Sequence, residues 1–316
     1  MANLNLLDIA KRNGSDRLVG LIEENLTYAP EIELLPVKTI RGTSYKLLTR
    51  TAFPDVGFRT ANDGNTPGKS QYENQLIECF IFGGAIQVDK AVADADEEGA
   101  QAVQDIESVG FTKQAMIELG SQVIYGTSID AKGFPGLQAI WTAFDAGLVV
   151  DAGGTTADTA SSVYGVNLGN QGVQLVMGSG GSMELTDWRV ENVAGGTAGT
   201  VYPAYVANMT SWIGLQVASK YAVGRLKDAT ADSTKGVTDA KLAELLSKYP
   251  IGYRPTHWLM NRRSAFQLQS SRSATTIQTG AKTSTATELW APFPTESNGI
   301  PIVVTDSIGN TEALSA

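Results

Sequence analysis

The stretch from Lys38 to Lys90 constrains this fold more than any other part of the chain. Its first half, Lys38 to Phe53, carries Thr39, Ile40, Thr43, Tyr45, Leu47, Leu48, Thr49 and Thr51. That β-branched and aromatic pattern predicts an extended segment. Its middle, Pro54 to Ser70, holds Asp63-Gly64-Asn65-Thr66-Pro67-Gly68, a dense turn signal. Its return, Gln71 to Lys90, is rich in Ile, Phe and Val. The outer parts of both strands are polar, so the hairpin has little core of its own. A two-stranded ribbon is marginal alone in water, so this one must lie on another surface.

Around the ribbon, residues 4–26 read as a helix interrupted at Gly14-Ser15-Asp16, followed by an extended stretch fixed by Pro30 and Pro36. An arm packing on something else is the economical reading. Residues 94–125 predict a long helix of about 45 Å. Asp94, Asp96, Glu97 and Glu98 would sit at its N-terminus, and Val103, Ile106, Gly110, Lys113, Ile117, Gly120 and Ile124 recur at helical spacing. Gly110 inside it predicts a bend or a close approach. A Gly-rich loop is expected over 131–160 and strands over 162–225, with 205–210 and 214–217 as separate strands. Gly178-Ser179-Gly180-Gly181 lacks the Lys of a phosphate loop and suits a hairpin. Helices follow at 238–249 and 261–270, the second with Asn261 as N-cap. Trp258-Leu259-Met260 reads as a buried strand, and Asn298-Gly299 turns the chain into a last strand ending at Asp306.

The chemistry available is sparse. One cysteine, Cys79, and one histidine, His257, exclude an internal disulfide and a Cys/His zinc centre. Any Ser/His/Asp triad would rest on His257 alone. Asp94, Asp96, Glu97 and Glu98 lack the spacing of a calcium loop. The five tryptophans are dispersed and read as core anchors. No metal and no cofactor is expected. The longest apolar run, Cys79 to Val88, is about half a membrane span, and the N-terminus lacks the basic and apolar regions of a signal peptide. At 316 residues the chain suits one large domain or two interlocked ones. Charged residues make up 18%, below the usual quarter, which argues for much buried or subunit-facing surface. The net charge of -9 argues against holding DNA by a general basic surface. Acids dominate residues 91–120, with Lys113 the only base, whereas bases dominate 220–275. These two stretches are expected to pair between adjacent subunits, and the Arg262-Arg263 and Arg272 cluster reads as an inter-subunit ion-pair face before a nucleic-acid contact.

The order of these elements, and particular stretches within them, carry a resemblance. Phe82-Gly83-Gly84-Ala85-Ile86-Gln87-Val88-Asp89 comes first, then Thr112 to Gly120, Gly126-Thr127, and Phe134-Pro135-Gly136-Leu137. Ser162 to Gly169, Tyr205 to Val217 and Gly299 to Ser307 follow. From about residue 36 onward the chain resembles the major capsid proteins of tailed double-stranded DNA phages, with the Hong Kong 97-like capsid fold, an α+β class. The resemblance implies an N-arm at 1–35, an extended loop at 36–80 lying over a neighbouring subunit, a peripheral domain at 81–225 containing the spine helix 94–125, and an axial domain at 226–316. The peripheral sheet would then precede the axial domain, as in a permuted branch. It further implies a virion protein assembled in the host bacterial cytoplasm. Its partners would be itself, in pentamers and hexamers of an icosahedral shell, together with scaffolding, portal and cement proteins. It would enclose double-stranded DNA without sequence-specific binding and touch no membrane. Subunit contacts are expected at Phe53, Asp55, Phe58 and Arg59 on the loop tip, at Glu97 and Glu98, and at Arg262 and Arg263. Some relatives cross-link subunits through a Lys and an Asn; Lys69 lies at the tip, but no spacing marks a partner. The rival readings are an encapsulin-like nanocompartment shell, a soluble enzyme using His257 as base, and a tail fibre, whose repeats are not seen.

Overall fold

The computed structural model describes residues 4, 6–12, 23–25, 27–140, 147–197, 199–232, 234–278 and 291–314. Helix α1 (Leu6–Arg12) and a short α2 (Glu31–Leu34) lead into β1 (Val37–Thr39). The expected N-terminal helix is thus shorter: residues 23–25 are not helical, and its Gly14 interruption lies outside the described residues. The ribbon is β2 (Ser44–Ala52) against β3 (Gln71–Glu78), and β3 passes through Cys79 into β4 (Phe80–Asp89). The expected first strand is broken at 40–43, so its start, β1, joins another sheet.

After α3 (Lys90–Ala93), the long helix α4 spans Ala100–Tyr125 and about 39 Å. It starts later than the acidic residues suggest. Gly99 adopts φ 86°, a left-handed conformation that ends the preceding turn, so Asp94, Asp96, Glu97 and Glu98 sit between the two helices and not in the first turn of α4. Gly110 faces open space, so neither close packing nor a need for glycine exists there. The tight approach is at Gly120, where a Cβ would meet Ala29 Cβ and Glu31 Oε1, each at 2.7 Å. Val103, Gly120 and Ile124 of the expected stripe are buried, but the rest of the buried face runs through Ala115, Leu119, Gln122 and Val123. The α4 residues that join the main core are Leu119, Val123 and Ile124, while Ile106 and Ile117 are only partly buried.

Two sheets form the body. The strands that follow are β5 (Val149–Asp151), β6 (Ser161–Val166), β7 (Val173–Met177), β8 (Arg189–Ala194), β9 (Val201–Val217) and β10 (Val223–Ala229). Then come α5 (Asp239–Lys248), β11 (His257–Met260), α6 (Arg262–Gln278), β12 (Glu296–Ser297) and β13 (Ile300–Val304). The first sheet has the order β1-β7-β9-β4, with β8 also on β9. The two strands expected at 205–217 are one continuous β9. It pairs with β4 in an unbroken antiparallel register from Phe80↔Ile213 to Asp89↔Ala204. Gly83 permits this: a Cβ there would fall on the Met209 carbonyl of β9. Gly178–Gly181 forms a connection and no hairpin, since β7 and β8 each pair with β9 and not with each other.

The second sheet has the order β12-β13-β11-β6-β10-β5. The expected division at residue 225 therefore fails physically. It cuts β10, and β5 and β6 from the expected peripheral segment pair beside β10 and β11. The chain enters this sheet, leaves to build β7 to β9, and returns. Strand β6 is buried on both faces. Val163 joins Leu226, Leu242, Leu245, Trp258 and Leu268 under α5 and α6, while Tyr164 and Val166 join Leu119, Val123, Leu175 and Ile213 between the sheets. Thr238 caps α5 and Asn261 caps α6 by accepting from Lys241 N and Ser264 N. Asn298 and Gly299, at φ 53° and 73°, make the tight turn between β12 and β13.

Candidate assembly surfaces

Among the described residues, the ribbon's hydrophobic packing is at its root. Ile77, Cys79, Tyr45 and Leu47 pack with Ile40, Val176 and Trp212, and Tyr45 OH bonds Gln216. The Cys79 thiol is buried there, and burial raises its pKa. Beyond the root, the pairs Lys46↔Leu76, Leu48↔Asn74 and Arg50↔Tyr72 put Leu48, Tyr72 and Leu76 on one exposed face. At the tip, Phe53, Val56 and Phe58 are 77%, 94% and 110% exposed. Arg59 donates to the Asp63 carbonyl at 2.8 Å, which folds the tip on itself. Phe53, Asp55, Phe58 and Arg59 are therefore together on one projecting element. Burying a Phe or Val side chain is worth about 1.5–3 kcal/mol, and these side chains leave that gain unrealised within the chain.

The charged residues are less available than the sequence suggests. Arg263 donates to the Thr159 and Ala229 carbonyls, Lys248 to the Val149 carbonyl, and Lys241 to those of Ala152, Thr234 and Gly236. Arg272 grips Asp239 with two bonds, at 2.7 and 2.8 Å, and holds its carboxyl below the usual range. Arg262 is exposed but pairs with Asp306 at 2.7 Å. The basic stretch 220–275 thus serves mainly to satisfy carbonyls and acids of its own chain, and the expected pairing with 91–120 of a neighbour loses most of its cations. Arg263 is a fold residue. Glu97 and Glu98 lie exposed in the turn before α4, with Glu98 N bonded to Asp96 Oδ1.

Two anchors of the C-terminal stretch escape the sequence reading. Asp306 accepts from Tyr28 N at 3.0 Å and its own N–H donates to Tyr28 O, clipping the arm to the end of β13. Glu312 is buried with Arg225, at 7% and 5% exposure. Its two oxygens accept from Arg225 Nη2 (3.0 Å), Ser162 Oγ (2.5 Å) and Tyr125 OH (2.9 Å), while Arg225 Nε reaches Ser162 Oγ at 3.0 Å. Burial is the main reason that the Tyr125 hydroxyl is held well above its ordinary pKa, and the Glu312 charge adds to it. No periodicity marks residue 312; the signal is three-dimensional.

His257 opens β11 and is partly buried, which lowers its pKa. Its Nδ1 lies 3.1 Å from the Thr256 hydroxyl. Trp258 is a buried anchor of the second core, with its indole N–H on the Ser297 carbonyl, whereas Trp141 and Trp290 lie outside the described residues. No helix among the described residues is long and apolar enough to cross a membrane.

Comparison with known proteins gives three kinds of result. A family model described as major capsid protein GP7 matches residues 31–316. A search of curated protein sequences returns no match. Among solved structures, a chain of bacteriophage Epsilon15 superposes with a TM-score of 0.73 at 18% identity, covering 100% of this chain and 98% of that one. The capsid of bacteriophage JBD30 gives 0.50 at 10% identity, covering 84% and 90%. An encapsulin complex from Synechococcus elongatus PCC 7942 gives 0.46 at 9% identity, covering 74% and 98%.

Proposed function

Since the chain belongs to the major capsid protein GP7 family and has the Hong Kong 97-like capsid fold, it is a phage coat protein, and we propose that the ribbon tip drives its assembly. In this reading the protein forms pentamers and hexamers of an icosahedral shell around double-stranded DNA, put together in the bacterial cytoplasm with portal, scaffolding and cement proteins. The observation that carries it is the tip: Phe53, Val56 and Phe58 stand exposed at the end of a ribbon whose packing among the described residues is at its root. Asp55 and Arg59 beside them give the contact polarity and direction. Many such modest contacts, closed into a shell, add through multivalency.

The first sheet with α4 corresponds to the peripheral domain in this proposal, and the second sheet with α5 and α6 to the axial one. Residues 23–35 serve as the base of the N-arm. The contact surface extends to Glu97 and Glu98, and to Arg262 through its exposed face. The acidic balance of the chain suits a wall that does not grip its contents, so the genome slides during packaging. No step of this role uses His257.

The test is electron microscopy of the purified protein under assembly conditions, wild type beside Phe53→Ser/Phe58→Ser. Closed shells from the wild type and soluble, folded small oligomers from the variant are expected. Shells from both proteins at equal yield would remove the tip from the mechanism.

A further inference from the structure

Strand β8 is the outer edge of the first sheet. It pairs with β9 from Arg189↔Val206 to Ala194↔Val201 without a register shift, and among the described residues no strand lies on its other side. Every β8 side chain except Val193 is exposed, and Val190 stands out at 53%. Open edges are templates for further pairing, and proteins blunt them with charged side chains, proline or a bulge. Strand β8, Arg-Val-Glu-Asn-Val-Ala, has no proline and no bulge, and its two charges are of opposite sign, so they bar a like-charged edge but not one that presents the opposite charges.

The ladder defines which backbone groups are available. Gly195 N donates to Thr200 O at the turn end. Antiparallel pairs alternate between bonded and non-bonded, so Val193, Glu191 and Arg189 bond toward β9. Val190, Asn192 and Ala194 then present their N–H and C=O groups outward. Arg189 and Glu191 share one face, two residues apart, and already pair within the strand. This short charge alternation is self-complementary when the strand meets a reversed copy of itself.

We propose that β8 pairs antiparallel with β8 of a second copy across a two-fold axis, with Val190 opposite Val190 of the partner subunit. That register sets Arg189 opposite Glu191 of the partner subunit, and the reverse by symmetry, joining the two first sheets into one. Opposite charges facing each other across strands are favourable and like charges are not. Centring the axis on residue 191 would face Glu191 with its own copy. Centring it on 192 would leave both charges opposite Val193 and Gly195. The two-fold is isologous, as a contact between identical subunits requires.

The inference rests on the assembly reading, and the experiment separates the two. Val190→Cys adds one exposed thiol to a chain whose single native cysteine is buried. Particles of this variant are imaged, treated with a short-span thiol cross-linker, and run on a denaturing gel. A covalent dimer is expected. Adding Arg189→Glu should cut its yield about tenfold, since two like-charge pairs replace two opposite ones. Adding Arg189→Glu/Glu191→Arg together should restore it, which a merely structural role for either residue would not do. Intact particles without the dimer overturn the pairing and leave the coat role standing. Equal dimer yield in all three variants also overturns the register. No particles from any variant, wild type included, overturn both readings.

Discussion

Replacing Glu312 tests how the C-terminal stretch is tied to the second sheet and to the end of α4. Its carboxylate and the Arg225 guanidinium are both more than nine-tenths buried, 3.0 Å apart, with Ser162 and Tyr125 completing the oxygens' partners. Removing one member of a buried pair leaves an uncompensated charge and costs roughly 3–5 kcal/mol, whereas replacing both with apolar groups of similar volume is often neutral or stabilising. Glu312→Leu is therefore expected to destabilise the unassembled protein by about 3–5 kcal/mol. At roughly 2 °C per kcal/mol for a chain of this size, its midpoint falls by about 6–10 °C. Arg225→Met/Glu312→Leu should recover most of the loss. Denaturant and thermal unfolding of the four proteins, treated as a double-mutant cycle, give the coupling directly. A single-variant loss under 1 kcal/mol, or a double variant no better than the worse single, would refute the argument that burial makes this pair interdependent.

Two glycines of one chain should respond oppositely to alanine. Gly83→Ala puts a methyl onto the Met209 backbone and is expected to cost about 1–3 kcal/mol as overpacking, while Gly110→Ala, in open space on α4, should gain about 1 kcal/mol; chemical denaturation measures both. Asp239 has its carboxyl lowered first by the Arg272 hydrogen bonds and next, in favour of the charged form, by Ser297. Its folded value lies below the unfolded one, so its contribution is present above the ordinary Asp value of about 3.9. It is lost as pH falls through the lower folded value. Asp239→Asn should thus lower stability at pH 7 and flatten the stability curve below about pH 4, as followed by circular dichroism.

Much of this architecture was legible because it depends on local pattern. The β-branched run around Tyr45–Thr51 and the Asn-Gly of 298–299 specify a ribbon and a hairpin wherever they occur. Asn261 before a helix specifies a cap. The tip residues Phe53 and Phe58 were legible for the same reason: bulky apolar groups amid turn residues have no core nearby. The misreadings share another origin. The start of α4 was set by the backbone of Gly99, which counts for more than the acids before it. The destination of the 220–275 cations was set by unsatisfied carbonyls such as those of Ala229 and Val149, which no side-chain pattern reveals. The boundary at 225 failed because β10 completes a sheet begun by β6, some 60 positions earlier. Arg225 with Glu312, and Tyr28 with Asp306, are partnerships between distant parts of the chain, so only the folded topology brings them together.

The passage of β3 into β4 through a single residue, Cys79, has a mechanical meaning. Tension applied at the ribbon tip travels along one strand into the antiparallel ladder that runs from Phe80↔Ile213 to Asp89↔Ala204. The pull lies along the strands, so it shears the ladder, and its hydrogen bonds must fail together. A pull across the strands would unzip them one at a time at far lower force. A neighbour that holds the tip therefore pulls on the packed root and, behind it, on a ladder loaded in its most resistant direction.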